Sequence, residues 1–188
     1  MPATIPALHT GRMPGGPIGE FFMSRFGVRV EKQYFEFSIA HFLLFADGTR
    51  EPLHGHNYRC IVEAEGTLSA DDMVLNYITF KPVVKKVCAE LDHRTVLPLK
   101  NPDLRVWREA PQVCAQYRDG SRFSFPEQDC VLLDVHNTST EILAVHVTNR
   151  LVEELAKTPD LARLSKLRVG IEEAPGQMSW FERDLSKG

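Results

Sequence analysis

The clearest pattern in the chain is alternation. Phe35, Phe37, Ile39 and His41 stand on one side of an extended segment, with Glu36, Ser38 and Ala40 on the other. A second segment sets Tyr58, Cys60, Val62 and Ala64 against Asn57, Arg59, Ile61, Glu63 and Glu65. A period of two marks half-buried strands, here from about Val28 to His41 and from about His54 to Gly66. A third row, Leu167, Val169, Ile171 and Glu173, predicts a late strand. Two stretches switch to helical spacing. Val83, Val84, Val87, Cys88 and Leu91 recur with Lys81, Lys85, Lys86 and Glu90 between them, and Pro82 is expected in the first turn of that helix. Ile142, Val145, His146, Asn149, Val152 and Leu155 form the second helix, which Thr138 and Glu141 open with capping-box spacing. Met73–Tyr77 reads as a short extended piece, and Val131–Leu133 as a brief apolar run.

Between the helices, residues from about 99 to 130 read as an inserted β-hairpin element, with short strands at Val106–Arg108 and Val113–Tyr117 and a turn at Asp119-Gly120 before Arg122–Phe125. Some thirty residues are too few for a core of their own, so the expectation is one domain over 28–188. Residues 1–27 are rich in Pro and Gly without a period and read as an N-terminal arm.

Composition narrows the function classes. A chain of 188 residues with 43% hydrophobic content suits a single globular core, and a net charge of -3 gives no electrostatic case for nucleic acid or an anionic membrane. No apolar run has the length of a membrane span and the N-terminus lacks a signal-peptide layout. Cys60, Cys88, Cys114 and Cys130 are widely spaced, which predicts reduced thiols and a cytoplasmic location.

Candidate chemistry sits where the alternating rows end. His54 and His56 share the inner face of their strand, and if the first two strands pair antiparallel, His41 lies beside them. Three imidazoles with a fourth position open is the arrangement of a catalytic zinc site; an H-x-H pair alone also fits a polar strand end. Asp92-His93 follows the first helix, where the negative end of the helix dipole and the adjacent carboxylate favour a charged imidazole suited to proton transfer, although ordinary polar residues end helices too. Glu141 also reads as a capping residue and His146 as a packed or partly exposed helix residue rather than a fourth ligand, while Glu173 closes an apolar row with a carboxylate.

These motifs, F-S-I-A-H at 37–41, H-G-H-N-Y at 54–58, M-V-L-N-Y at 73–77, L-D-H at 91–93, T-S-T-E at 138–141 and E-A-P at 173–175, resemble in content and order those of the 6-pyruvoyl-tetrahydropterin synthase and 6-carboxy-tetrahydropterin synthase family, over about residues 28–182. The resemblance implies an α+β tunnelling fold, in which a four-stranded antiparallel sheet carries two helices on one face. It further implies a homohexamer of two stacked trimeric barrels with active sites between subunits. By the same resemblance His41, His54 and His56 bind Zn2+, Glu173 anchors the pterin ring, Thr140 and Glu141 line the pterin pocket, and Asp92 and His93 are catalytic.

The family's catalytic cysteine, expected a few residues before H-G-H, is missing; Ala46–Leu53 contains Glu51 instead. This is similar to the glutamate-bearing class of the family, and implies a lyase that cleaves the side chain of 7,8-dihydroneopterin, or its triphosphate, to 6-hydroxymethyl-7,8-dihydropterin for folate synthesis, with Glu51 as base. The flanking Arg50 and Pro52 also fit a plain surface loop. Two alternatives stand beside that expectation: 6-pyruvoyl- or 6-carboxy-tetrahydropterin formation, and a pterin-binding homologue without turnover.

Overall fold

The alternating rows do become paired strands, but with an irregularity that decides which side chains meet. The computed structural model describes residues 25–186. β1 (Phe26–His41) and β2 (His54–Gly66) are antiparallel, with Val30 opposite Val62 and, further on, Phe37 opposite Tyr58. Between these two pairs the register shifts, from Glu31 opposite Ile61 to Glu36 opposite Arg59. The inner row of β1 therefore passes from even positions (Val30) to odd ones (Phe35, Phe37, Ile39, His41), while β2 keeps its even row throughout. Because one odd step of register moves every later side chain to the other face, this bulge puts His41 on the same face as His54 and His56.

The sheet is larger than the four strands expected. β1 and β2 are joined by β8 (Leu164–Ala174) and β9 (Gln177–Asp184) in an antiparallel four-stranded portion, and β3 (Arg94–Pro98) and β7 (Cys130–Leu133) extend it beyond β1 by parallel pairing, giving the order β7-β3-β1-β2-β8-β9. Strands of five and four residues show too little period to be recognised from sequence. α1 (Tyr77–Ala89) and α2 (Thr140–Leu155) cover one face, packing Phe80, Val84, Val87, Leu143, Val147 and Leu151 against the inner rows of β1, β2 and β8. Full burial of Phe35 and Phe37 in that layer contributes on the order of 1.5–3 kcal/mol each.

Three local readings need correction. Residues 73–77 do not form a strand: Asn76 keeps an extended backbone, but its side chain accepts from the Ile78 N–H as the N-cap of α1, so the helix begins at Tyr77 and Pro82 lies beyond its first turn. The N-cap of α2 is Ser139, and Thr138 is a buried residue, so the capping box does not form. The insertion is a three-stranded antiparallel sheet, β4 (Leu104–Glu109), β5 (Gln112–Tyr117) and β6 (Arg122–Pro126), instead of a hairpin. Its tight turn uses Gly120 at φ 89°, a left-handed conformation natural to glycine. Val113, Ala115 and Tyr117 build a second core with Phe42, Leu44 and Leu97. The expected arm lies outside the described residues up to position 24; β1 begins at Phe26. No described helix is long and apolar enough to cross a membrane.

Candidate active site

The pairing of β1 with β2 places His41 opposite His54, and Ile39 opposite His56. Gly55 between the histidines faces Ala40, and a Cβ there would stand 3.0 Å from the Ile39 carbonyl oxygen, so the glycine permits the close approach of the two strands. The ring centroids of His41 and His54 are 4.8 Å apart, those of His54 and His56 4.8 Å, and those of His41 and His56 5.6 Å. One potential ligand atom from each ring lies within 4.8 Å of the others, so the cluster can hold a metal ion.

The rings are oriented by their second nitrogens. His41 Nδ1 is 3.1 Å from the Thr138 carbonyl oxygen and 3.2 Å from its hydroxyl, and His54 Nδ1 is 2.9 Å from the Pro52 carbonyl oxygen. Backbone carbonyls can only accept, so both Nδ1 atoms carry the hydrogen and both Nε2 atoms present a lone pair that can accept a hydrogen bond or bind a metal. Burial, followed by the neighbouring His54, lowers the pKa of His41, which keeps it in the neutral, metal-binding form.

Two carboxylates and a hydroxyl surround these nitrogens. Glu51 Oε2 is 3.7 Å from His54 Nε2 and accepts the Leu43 N–H at 3.1 Å. Glu173 Oε1 is 3.1 Å from His56 Nε2. The buried Tyr58 hydroxyl stands between, 3.3 Å from Glu173 Oε1 and 3.1 Å from His41 Nε2. Burial and the charge of Glu173 raise the pKa of Tyr58, so it retains its one hydrogen and offers it to these two acceptors. Tyr58 stands in the H-G-H-N-Y motif, but alternation alone reads it as a core residue. Thr138 was likewise legible only as a cap.

Thr140 and Glu141 lie at the start of α2 and bind β9: the hydroxyls of Thr140 and Ser179 are 2.7 Å apart, and Ser179 donates to Glu141 at 3.0 Å. The Glu141 carboxyl is held below its ordinary pKa first by its own backbone N–H and then by hydroxyl donors. Ser179 pairs with Ile171, two residues before Glu173, which puts this corner beside the ring-anchor candidate.

Asp92 and His93 are held elsewhere. Asp92 Oδ1 accepts the Ser38 N–H at 2.8 Å and lies 2.9 Å from His93 Nδ1, while the His93 N–H donates to the Ser38 carbonyl at 2.7 Å. Burial raises the Asp92 pKa, but these donors outweigh it and the net shift is downward. The pair thus continues the β1–β3 seam three residues before His41, roughly 10 Å along the strand. His93 has a left-handed backbone, φ 57°, and its side chain is 82% exposed. His146 is a half-buried residue of α2, and desolvation lowers its pKa. All four cysteines are free: Cys60 and Cys88 are buried together in the core, and Cys114 and Cys130 contact residues of the insertion.

Residues 29–184 match the family described as 6-pyruvoyl tetrahydropterin synthase. A Methanocaldococcus jannaschii protein, provisionally named 6-carboxy-5,6,7,8-tetrahydropterin synthase, is 30% identical over 79% of this chain and 90% of its own length. Among solved structures, the 6-pyruvoyl tetrahydropterin synthase of Plasmodium vivax is similar with a TM-score of 0.80 and 31% identity, covering 86% of this chain and 99% of that one. The same enzyme has been solved with a glutamate described as its catalytic residue replaced by alanine, at the same TM-score, identity and coverage.

Proposed function

Because the chain belongs to the 6-pyruvoyl tetrahydropterin synthase family, we propose that it is a zinc-dependent lyase acting on the side chain of a 7,8-dihydropterin, with 6-pyruvoyl- or 6-carboxy-tetrahydropterin formation as its first reading. The observation that carries this is the convergence of three histidines, two of them oriented by backbone carbonyls, with Glu173 on the same sheet face and with Glu51 from the adjoining loop. The names of the relatives favour that reaction over the dihydroneopterin cleavage expected from sequence. The donor set fits zinc: His41, His54 and His56 offer three imidazole nitrogens within 4.8 Å of one another, the ligand type that zinc commonly takes, and these three residues would hold it. Bound zinc would act as a Lewis acid on the hydroxyls of the pterin side chain.

The protein's own groups divide the remaining work. Glu173 faces the site with a carboxylate that matches the guanidine-like edge of a pterin, and the Tyr58 hydroxyl holds it in place. With His41 Nε2 occupied, the Tyr58 hydrogen goes to Glu173 alone. Thr140 and Glu141 bound the pocket next to it. Glu51, fixed by the Leu43 N–H, takes the proton from the substrate side chain; the catalytic glutamate of the P. vivax relative supports that role. Asp92 orients His93 for return of a proton. Since that pair lies along the β1–β3 seam, it would serve the site of a neighbouring subunit, in accord with a homohexamer.

A second reading has its own observation in favour: the group beside His54 is a carboxylate, and the contacts of all four thiols lie elsewhere. Glu51 could then take the proton of the C2' hydroxyl of 7,8-dihydroneopterin; that oxygen forms the carbonyl of glycolaldehyde as the C1'–C2' bond breaks, the bond's electron pair enters the conjugated ring, and His93 returns a proton to C1'. Incubating the zinc-loaded protein with dihydroneopterin and with its triphosphate, and identifying products by mass, separates the readings. Loss of triphosphate supports the first, and glycolaldehyde with 6-hydroxymethyl-7,8-dihydropterin the second. Tight pterin binding with no product from either compound would contradict both.

A further inference from the structure

The inserted sheet β4-β5-β6 has no part in the scheme above, yet it shares a core with the segment that carries Glu51. Phe42 and Leu44 pack with Val113, Ala115 and Tyr117, and Leu44 forms a bridge with Arg50 that closes the loop between β1 and β2. Arg50 sits at the centre of this contact, and its side chain is only 19% exposed. Its Nη1 donates to the Glu51 carbonyl at 2.9 Å, and its Nη2 to the Ser121 hydroxyl at 2.8 Å, in the turn joining β5 and β6. Nε lies 3.4 Å from Asp119 Oδ2, an ion pair without hydrogen-bond alignment. The guanidinium is 5.1 Å from the centre of the Phe123 ring on β6. From the other side, the Glu51 N–H donates to the Leu43 carbonyl at 3.0 Å, and the Leu43 N–H returns a bond to the Glu51 carboxylate.

We infer that the insertion serves the reaction by holding the loop that bears the base, and that Arg50 is the positioning residue through which it does so; this rests on the role given to Glu51 above. A flat, weakly hydrated guanidinium is the side chain suited to this place. It can lie on an aromatic face while its separate N–H groups serve Ser121 and the Glu51 carbonyl at once. A lysine could keep the charge near Asp119 but would offer one ammonium for partners that lie in different directions. The contacts of Arg50 are with Phe42, Glu51, Asp119, Ser121 and Phe123, none of them a histidine, so its effect should pass through the placement of Glu51.

The test uses the full zinc-loaded chain carrying Arg50→Ala or Arg50→Lys, each also combined with Glu51→Gln. It measures zinc content, kcat and KM, and amide hydrogen exchange across residues 42–53. The expected result is a kcat lower by roughly 10- to 100-fold in both single variants, the cost of misplacing a reacting group by about an ångström. Zinc content and KM should stay near wild type, and exchange across 42–53 should accelerate. Adding either change to Glu51→Gln should cost nothing further, because the group being positioned is already disabled. Unchanged exchange across 42–53, or a loss that adds in full to that of Glu51→Gln, would overturn the inference. If Glu51→Gln itself turns over like wild type, the base assignment fails, and with it the positioning role, whatever the exchange shows of the loop. Should Arg50→Ala not fold, Ser121→Ala removes a single hydrogen bond and carries the same expectation on a smaller scale.

Discussion

The two histidine-bearing corners of β1 are built on opposite plans. At the end of β1, His41 is buried, and its ring is fixed by Thr138 on one nitrogen and Tyr58 on the other. Three residues earlier, His93 leans on Ser38 and Asp92 with its imidazole almost wholly in solvent. The first corner has its candidate ligands and their supports complete within one chain: the histidines and Glu173 stand on β1, β2 and β8, Glu51 and the Pro52 carbonyl come from the loop between β1 and β2, and the Thr138 carbonyl from just before α2. The second is an imidazole on a fixed backbone whose side chain is left exposed among the described residues. Buried, doubly held imidazoles suit a group that must not move or titrate, whereas an exposed imidazole on a fixed backbone suits a group that serves a site brought to it.

Removing one ligand from the complete corner should have the largest effect. His54 is partly exposed, with a third of its side chain in solvent, so His54→Ala should fold; zinc content measured on the purified protein should fall from one per chain to near zero, taking turnover with it. Next comes Glu173→Gln. Replacing a carboxylate that binds a charged or guanidine-like partner costs on the order of 2–5 kcal/mol. Titration should therefore show pterin affinity lower by at least about tenfold with zinc retained.

The incomplete corner can be tested by mixing. If a site takes Glu51 from one subunit and His93 from its neighbour, co-refolding inactive His93→Ala chains with inactive Glu51→Gln chains should restore about a quarter of wild-type turnover for random placement around a ring. No recovery in assembled mixtures would make both corners serve the same chain. The smallest expected effect concerns Asp92. Its folded pKa lies below the ordinary 3.8, so its contribution to stability is present in full above that value and is lost as pH falls through the lowered one. Asp92→Asn should accordingly make stability in denaturant titrations fall less steeply below about pH 4, with little change in the shape of the curve at neutral pH.

What the sequence made legible follows from how regular each part is. His41, His54, His56 and Glu173 could be found because each ends a long alternating row, and a row fixes its face over many residues. The bulge between Glu31 and Glu36 left no comparable trace, although it decides the face of His41. β9 was missed because its inner and outer positions are both partly exposed, with Met178 and Trp180 in solvent, so burial imposed no clean period on it. Thr138 and Glu141 have the spacing of a capping box, but the Thr138 hydroxyl is drawn into the core beside His41 and Ser139 takes the cap. Tertiary contact outweighed local preference there. The same holds for Arg50, whose partners Ser121 and Asp119 lie some seventy residues away in a sheet the sequence presented only as an insertion.

The central claim is that the three histidines hold a metal while Glu51, beside it, moves the proton. It is tested most directly by measuring zinc content and turnover of dihydroneopterin and its triphosphate on the same preparations of wild type and Glu51→Gln. The change keeps the side chain's size but removes its ability to accept a proton. One zinc per chain in both proteins, with turnover lower by roughly 10²–10⁴ in the variant, is the predicted result. Wild-type turnover by a zinc-loaded Glu51→Gln protein would contradict it.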